Sequence, residues 1–239
     1  MDANDYDVLL NLRKSFNSGR TRPLKWRKNQ LKAIIQFTIV EQNNIKEALR
    51  SDLGKSEYES DVFELAKLRI EAKWALKHLK QWMKNEILDS SLPFCIYEKY
   101  TVNEPYGIVL VISPWNYPIY LSLNPIIGAI AAGNCVMLKP SEYSTATSQL
   151  LYDLLPQYLD AECFAVKLCG AQPTSELIQS GLFDYVSFTG SSYVGKLVME
   201  AASKNLTPVI LECGGKSPCI VSDTVESLNV TSDIFLYIC

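Results

Sequence analysis

Histidine is nearly absent from this 239-residue sequence. The one residue, His78, sits in a lysine-rich stretch of helical pattern, where a histidine triad or a histidine metal cluster would rest on a single side chain in an unsuitable place. The seven cysteines, Cys95, Cys135, Cys163, Cys169, Cys213, Cys219 and Cys239, contain no C-x-x-C pair, and their odd number fits neither a disulfide framework nor a zinc site. A reducing compartment is the simpler expectation. Glycine and proline, at 11 each, are too few for a low-complexity or collagenous chain. Basic charge is short as well. The 23 Lys and Arg stand against 26 Asp and Glu, so the net charge of -3 provides no overall basic field for nucleic acid or an anionic membrane. The first residues, Met1 to Asp7, are acidic where a signal or transit peptide would be basic or hydroxyl-rich, which makes a cytoplasmic location the expectation. The sequons at Asn205 and Asn229 then read as chance matches.

The chain has enough length and 48% hydrophobic residues to bury a real core. From Tyr6 to about Lys84, apolar residues recur at three- and four-residue steps (Leu31, Ile34, Ile35; Phe63, Ala66, Ile70, Trp74), which predicts an α-helical first third. Ser18 to Pro23 and Ser51 to Lys55 break its helices. Leu92 to Val102 reads as extended chain, an arm. Residues 105–138 carry no charge, which raises the question of a membrane span. The prolines and asparagines within it argue instead for a strand over 107–112, a helix over 126–132 and a strand over 135–138. Further helices are predicted at 144–155, 175–179 and 192–202. Strands are predicted at 164–168, 185–188 and 208–211, with a short one at 219–221. Continuous apolar strands alternating with helices predict an α/β fold with a doubly wound, mostly parallel sheet.

Four segments could carry chemistry. Phe188 to Leu197 is a strand end, a glycine turn and a helix start, where free N–H groups and the helix dipole can hold a phosphate. It fits G-x-x-x-x-G-K, but Leu197 replaces the hydroxyl that a P-loop needs. Ser192 replaces the second glycine of G-x-G-x-x-G, so neither motif is met and an ordinary tight turn competes. Met137 to Glu142 places Lys139 and Glu142 just past a strand, where both can reach ribose hydroxyls, or where Ser141 simply caps the next helix. Ser113 to Pro118 holds Asn116 between two prolines, so its amide is either an aligned oxyanion donor or the closure of a turn. Leu211 to Lys216 holds Glu212 in an apolar strand beside Gly214 and Gly215, where burial would turn the carboxylate toward general-base duty. A salt-bridged structural Glu is the alternative.

Pro114-Trp-Asn-Tyr-Pro118, Gly128-Ala-Ile-Ala-Ala-Gly-Asn134, Leu138-Lys-Pro-Ser-Glu142, Phe188-Thr-Gly-Ser191 with Gly195, and Leu211-Glu-Cys-Gly-Gly-Lys-Ser-Pro218 resemble, in order and spacing, the aldehyde dehydrogenase superfamily. Ser18 to Pro23, Pro156 to Tyr158 and Leu206 to Val209 resemble its class 3 branch, which includes fatty aldehyde dehydrogenases. The resemblance runs from about residue 5 to about 223. It implies NAD- or NADP-dependent oxidation of an aldehyde, of medium or long chain in some members, to a carboxylic acid through a cysteine thioester. On matching positions, Asn116 would be the oxyanion donor and Glu212 the general base. Lys139 and Glu142 would hold the adenosine ribose, and Trp115, Gly190, Ser191 and Gly195 would complete the coenzyme site within a variant Rossmann arrangement. Cys213 stands where the family usually has Leu, a change expected to be tolerated.

The resemblance divides the chain into a coenzyme domain over 1–210, with helices over 1–84 and an oligomerisation-type arm over about 90–104, and the start of a catalytic domain over 211–239 with a divergent tail. The family's nucleophilic cysteine, within Gly-Gln-x-Cys, is not matched by Cys239, so a truncated and inactive polypeptide is expected. Family members are homodimers, and an aldehyde is the implied small-molecule partner, with no nucleic acid and no metal.

Overall fold

A computed structural model of the chain describes residues 3–89, 98–216 and 218. The first third is helical, as its periodicity predicts: α1 (Ala3–Asn17), α2 (Leu24–Val40) and α3 (Gln42–Leu53). Then α4 (Glu57–Glu59) continues through a π-helical stretch (Ser60–Ala66) into α5 (Lys67–Trp82). The punctuation at 18–23 falls between helices, and that at 51–55 covers the last three residues of α3 and the two that follow, with Pro23 at the N-cap of α2 and Gly54 closing α3 in the left-handed conformation at φ 64°. Sequence pattern gives no sign of the break at Glu41, nor of the π-helical stretch.

Next comes a short antiparallel hairpin, β1 (Glu86–Leu88) with β2 (Lys99–Thr101). The expected arm meets the described chain only over 98–104, extended and exposed; residues 90–97 lie outside the described set. The α/β portion follows as β3 (Ile108–Ile112), α6 (Tyr120–Ala132), β4 (Cys135–Lys139), α7 (Thr145–Tyr158), β5 (Phe164–Val166), α8 (Ala171–Gln179), β6 (Tyr185–Gly190), α9 (Ser192–Ser203) and β7 (Val209–Cys213). All the expected helices and strands of this portion occur among the described residues. Three helices are longer than their patterns suggest, because α6 and α7 run through Pro125 and Pro156, and α8 begins ahead of Ser175. The expected strand at 219–221 lies outside the described residues.

The five strands β3 to β7 form one sheet in the order β5-β4-β3-β6-β7, every pair parallel. Counted from the first strand, that is 3-2-1-4-5, the Rossmann order, with its switch point between β3 and β6. The expected domain boundary at 210/211 falls within β7. The central strands are covered on both sides. Val109 and Val111 of β3, with Val136 and Leu138 of β4, join a core with α2, α3, α5, α6 and α7. Ile108, Leu110 and Ile112, with Cys135 and Met137, join a second core with α1, α8 and α9. Every residue of β3 and β4 is buried. Each fully buried Leu or Ile here contributes about 1.5–3 kcal/mol of transfer free energy, so this alternation dominates the register.

Two polar ties set the helices on the sheet. Asn134 receives a hydrogen bond from Gly107 N–H (2.9 Å) and donates to Ala129 C=O (3.0 Å), which aligns the start of β3 with the end of α6. Gly133 is left-handed at φ 93°, and a Cβ there would lie 2.5 Å from the buried guanidinium of Arg27, which donates to Ala131 C=O. The N-terminus of α7 is capped from another helix. Asp52 accepts from Ala146 N–H (2.9 Å) and Thr147 N–H (2.7 Å), whereas Ser141, expected to cap, instead closes a turn by accepting from Tyr143 N–H (3.2 Å). Replacing Asp52 by Ala leaves two helical N–H groups unpaired, and urea unfolding should show a loss of about 1–2 kcal/mol. A change within error would show that Ser144 or water caps α7 equally well.

Candidate active site

In a parallel sheet all strands end on the same side, so register alone places the predicted site residues. Ile112 of β3 pairs with Lys139 of β4 and with Phe188 of β6, and Thr189 pairs with Glu212 of β7. The loop carrying Trp115 and Asn116, the pair Lys139 and Glu142, the turn Gly190–Ser191 and the carboxylate Glu212 therefore share the carboxyl rim of four adjacent strands. That rim spans three strand spacings, about 14 Å. The switch point opens between the loop after β3 and the turn after β6, where open α/β sheets take their ligands.

Lys139 is the last residue of β4 and is buried; it donates to the half-exposed carboxylate of Glu142 in a tight ion pair. Burial opposes ionisation of Glu142, but the Lys139 hydrogen bond and charge, with a backbone hydrogen bond, outweigh it and hold the carboxyl below its usual range. The two residues expected at a ribose are thus preassembled as a donor and acceptor pair.

Ser191 is the N-cap of α9 and accepts from Val194 N–H at 3.3 Å. The first turn of this 12-residue helix is exposed and directed to the rim, so its N–H groups and dipole are available to an anion. The two glycines here have packing reasons for their identity. A Cβ on Gly190 would lie 2.6 Å from the Phe188 ring, and one on Gly195 would lie 3.2 Å from Cys213 Sγ and 3.6 Å from Leu211. Gly195 lets α9 press against β7, the close helix–strand contact that the third glycine of a Rossmann loop provides. Neither glycine has a positive φ.

Asn116 is half-buried, and its Oδ1 accepts from Tyr117 N–H (3.0 Å), which fixes the plane of the amide. Trp115, beside it, is half-buried in the same loop. The loop itself is pinned by a buried ion pair that sequence reasoning did not find. Lys55, just beyond the Gly54 cap of α3, donates to Glu64 of the π-helical stretch (2.5 Å) and to the backbone C=O of Asn116 (2.8 Å), and lies 4.0 Å above the Tyr117 ring. Glu64, fully buried, accepts from Ile119 N–H (2.8 Å) and Tyr120 N–H (3.0 Å). Both charges are compensated on every side, which is what makes such burial tolerable. A lysine and a glutamate nine residues apart carry no motif, so only the tertiary arrangement reveals the clamp. A cavity of about 250 Å³ adjoins it, lined by Phe63, Lys67, Tyr117, Tyr120 and Leu121.

Glu212 differs from expectation. It lies on β7, the edge strand, and is exposed rather than buried. The reason is topological, since among the described residues no strand pairs with the outer side of β7. The desolvation that was expected to turn this carboxylate toward general-base duty is therefore absent from the described structure.

Two measurements test the site's scaffold. Lys55→Met or Glu64→Gln alone leaves the other buried charge without its counter-ion, and chemical denaturation should show a loss of about 3–5 kcal/mol, while the double substitution to apolar residues should cost less than the sum. Additive losses would mean the pair does not act as a unit. For Glu142, the folded carboxyl titrates below its ordinary value of 4.5. Its pairing therefore stabilises the fold above that pH and is lost as pH falls through the lower folded value. Between pH 7 and pH 3 the Lys139→Met variant should show a shallower fall in stability than the parent, and identical slopes would disprove the coupling.

A profile of the aldehyde dehydrogenase family matches residues 6–236. The matched range extends past Asp223, where the resemblance was expected to fade. Rat aldehyde dehydrogenase family 3 member B1 is 48% identical over 228 residues, 95% of this chain and 48% of that protein. The chain spans about half the length of the curated relatives it matches. Among solved structures, substrate-bound AldH of Staphylococcus aureus is 40% identical with a TM-score of 0.87, over 95% of this chain and 49% of that one. The betaine aldehyde dehydrogenase of the same species, solved with NAD+, is 28% identical with a TM-score of 0.73, over 87% of this chain and 42% of that one. With its Rossmann-ordered sheet, four of the five motifs gathered on one rim and class 3 relatives at this identity, the chain belongs to the aldehyde dehydrogenase family.

Proposed function

We propose that this chain holds NAD or NADP along the rim described above and supplies two groups to the oxidation of an aldehyde to a carboxylic acid. The observation that carries this is the convergence of Asn116, Lys139, Gly190 and Glu212 on the carboxyl ends of four adjacent strands around a 3-2-1-4-5 switch point. The donor set suits a dinucleotide. Lys139 and Glu142 offer a cation and an acceptor to ribose hydroxyls, Ser191 and the first turn of α9 offer N–H groups to the pyrophosphate, and Trp115 and Gly195 complete the lining. When bound, the nicotinamide accepts a hydride. The Asn116 amide, held by the Lys55–Glu64 clamp, donates to the carbonyl oxygen as negative charge develops there. Glu212, exposed to solvent, takes the proton of the water that completes the reaction.

The cavity beside Asn116, with three aromatic rings and Leu121 on its wall, suits an apolar-tailed aldehyde of medium or long chain. Of the four described cysteines, Cys135 and Cys163 are unsuited to be the nucleophile. The hydrogen bond with Cys163, and then burial, push the Cys135 thiol up, away from the thiolate form, and Cys163 is buried with it. The exposed apolar residues of the β1–β2 hairpin, Ile87, Leu88, Tyr100 and Val102, support its use as a docking edge in a homodimer. The four described thiols, all unpaired, support a reducing, cytoplasm-facing location.

Calorimetry with NAD and with NADP tests the reading. Binding of one of them, weakened about tenfold or more in Lys139→Ala, is the expected result. Silence under both cofactors would overturn it. In the same preparation, NAD-dependent aldehyde oxidation well above a Glu212→Gln control would support the role given to Glu212, and equal rates would remove it.

A further inference from the structure

Helix α5 has charge and apolarity sorted into stripes that the catalytic reading does not use. Over residues 67–82 it carries Lys67, Arg69, Lys73, Lys77 and Lys80 against one acid, Glu71, and Lys84 follows two residues past its end. Arg69 is engaged by Thr38 and Gln42 of the neighbouring α2–α3 segment, and Lys67 lies 4.6 Å above the Tyr120 ring. The other four lysines are exposed, and none has an ion-pair partner among the described residues.

Beside this lysine stripe runs an apolar one at four-residue spacing: Ile70, Trp74, His78 and Trp82. Ile70 is 64% exposed, Trp74 52% and Trp82 38%. The three rings contact one another, with centroids 4.5 Å apart for Trp74 and His78 and 5.0 Å for Trp74 and Trp82, and His78 Nδ1 is bonded to Trp74 C=O. Residues four apart on a helix share a face, so the aromatic stripe and the stripe through Lys73, Lys77 and Lys80 lie side by side, with Lys84 just past the helix end. A face meant only for water gains nothing by exposing two tryptophans and an isoleucine.

We propose that the outer face of α5 docks on a lipid surface bearing anionic headgroups. Tryptophan and isoleucine suit the headgroup boundary, and flanking lysines suit an anionic leaflet that recruits them without a pocket. The net charge of -3 hides this, because the acids that balance the lysines lie elsewhere in the chain. Two other occupants fit worse. The opposite face of α5, Leu68, Ala72, Ala75 and Leu79, is buried in the core, so a partner that wraps a helix cannot close around it. A second copy in a two-fold contact would bring both copies' lysine stripes into one interface, with only Glu71 of each helix to offset them. The inference is independent of coenzyme binding.

The test is co-sedimentation of the chain with vesicles of phosphatidylcholine alone and of phosphatidylcholine with about a third phosphatidylserine, a composition that supplies the negative surface. Pelleting with the anionic vesicles only is expected, with a blue shift of tryptophan emission. Release is expected on raising salt from about 0.1 to about 1 M, which shortens the screening length from about 10 to about 3 Å. Changing the four lysines to Gln, or Trp74→Ala with Trp82→Ala, should each lower the partition about tenfold or more while leaving the circular dichroism and unfolding midpoint unchanged. Equal partition onto neutral vesicles, no partition at all, or partition indifferent to both variants would overturn the proposal. So would a dimer in solution that the Trp variants convert to monomer, which would assign the face to a second copy.

Discussion

Burial of β3 and β4 on both faces is the constraint on which everything else here depends. Their alternate side chains enter two separate cores, so neither strand can slip by one residue without exchanging the contents of both. A parallel sheet fixed in register must then end on one side, and the segments that follow the strands have to meet there. The carboxyl rim is therefore a consequence of apolar packing far from any charged group. The 3-2-1-4-5 order adds the crevice, because the chain leaves β3 in one direction for β4 and β5 and returns on the other side for β6 and β7.

Much of this was legible in the sequence. Gly107 to Ile112 and Cys135 to Leu138 are apolar and β-branched without interruption, a pattern that only a strand covered on both sides tolerates, and the helices between them show their own period. Once the alternation is read, Asn116, Lys139, Gly190 and Glu212 all follow strand ends or lie on the last strand, and parallel topology brings them together. What was not legible depends on partners distant along the chain. Asp52 caps a helix that begins more than ninety residues later, and nothing near it signals that duty. Lys55 and Glu64 look like ordinary surface charges until tertiary structure closes over them. The exposure of Glu212 likewise depends on whether another element covers the edge of β7, which residues 209–213 do not specify.

The polar ties and the apolar scaffold divide the work. Burial sets where the strands end to within a residue, but an oxyanion donor must be held more tightly than packing alone achieves. The Lys55–Glu64 pair supplies that second level, gripping one backbone carbonyl and two backbone N–H groups of the Asn116 loop from two different elements. Its placement on the π-helical stretch is consistent with such stretches marking functional positions, because a π-turn shifts side chains relative to the regular helix before and after it. On the other side of β3, the Lys139–Glu142 pair is only partly buried, so it can exchange its internal contact for a ligand's hydroxyls.

Gly190 and Gly195 show why convergence carries more weight than motif. Each packs against a neighbour within the fold, the Phe188 ring in one case and Cys213 with Leu211 in the other, so packing gives a reason for either glycine apart from any phosphate. A glycine pattern thus supports nucleotide binding only when the helix behind it presents an open N-terminus to a rim that already holds ribose-type partners. Here the first turn of α9 is exposed, Lys139 and Glu142 stand two strands away on the same edge, and the amide of Asn116 lies in the loop after the strand between. The coenzyme reading follows from that sequence of neighbours across the sheet, which no one of the four segments contains.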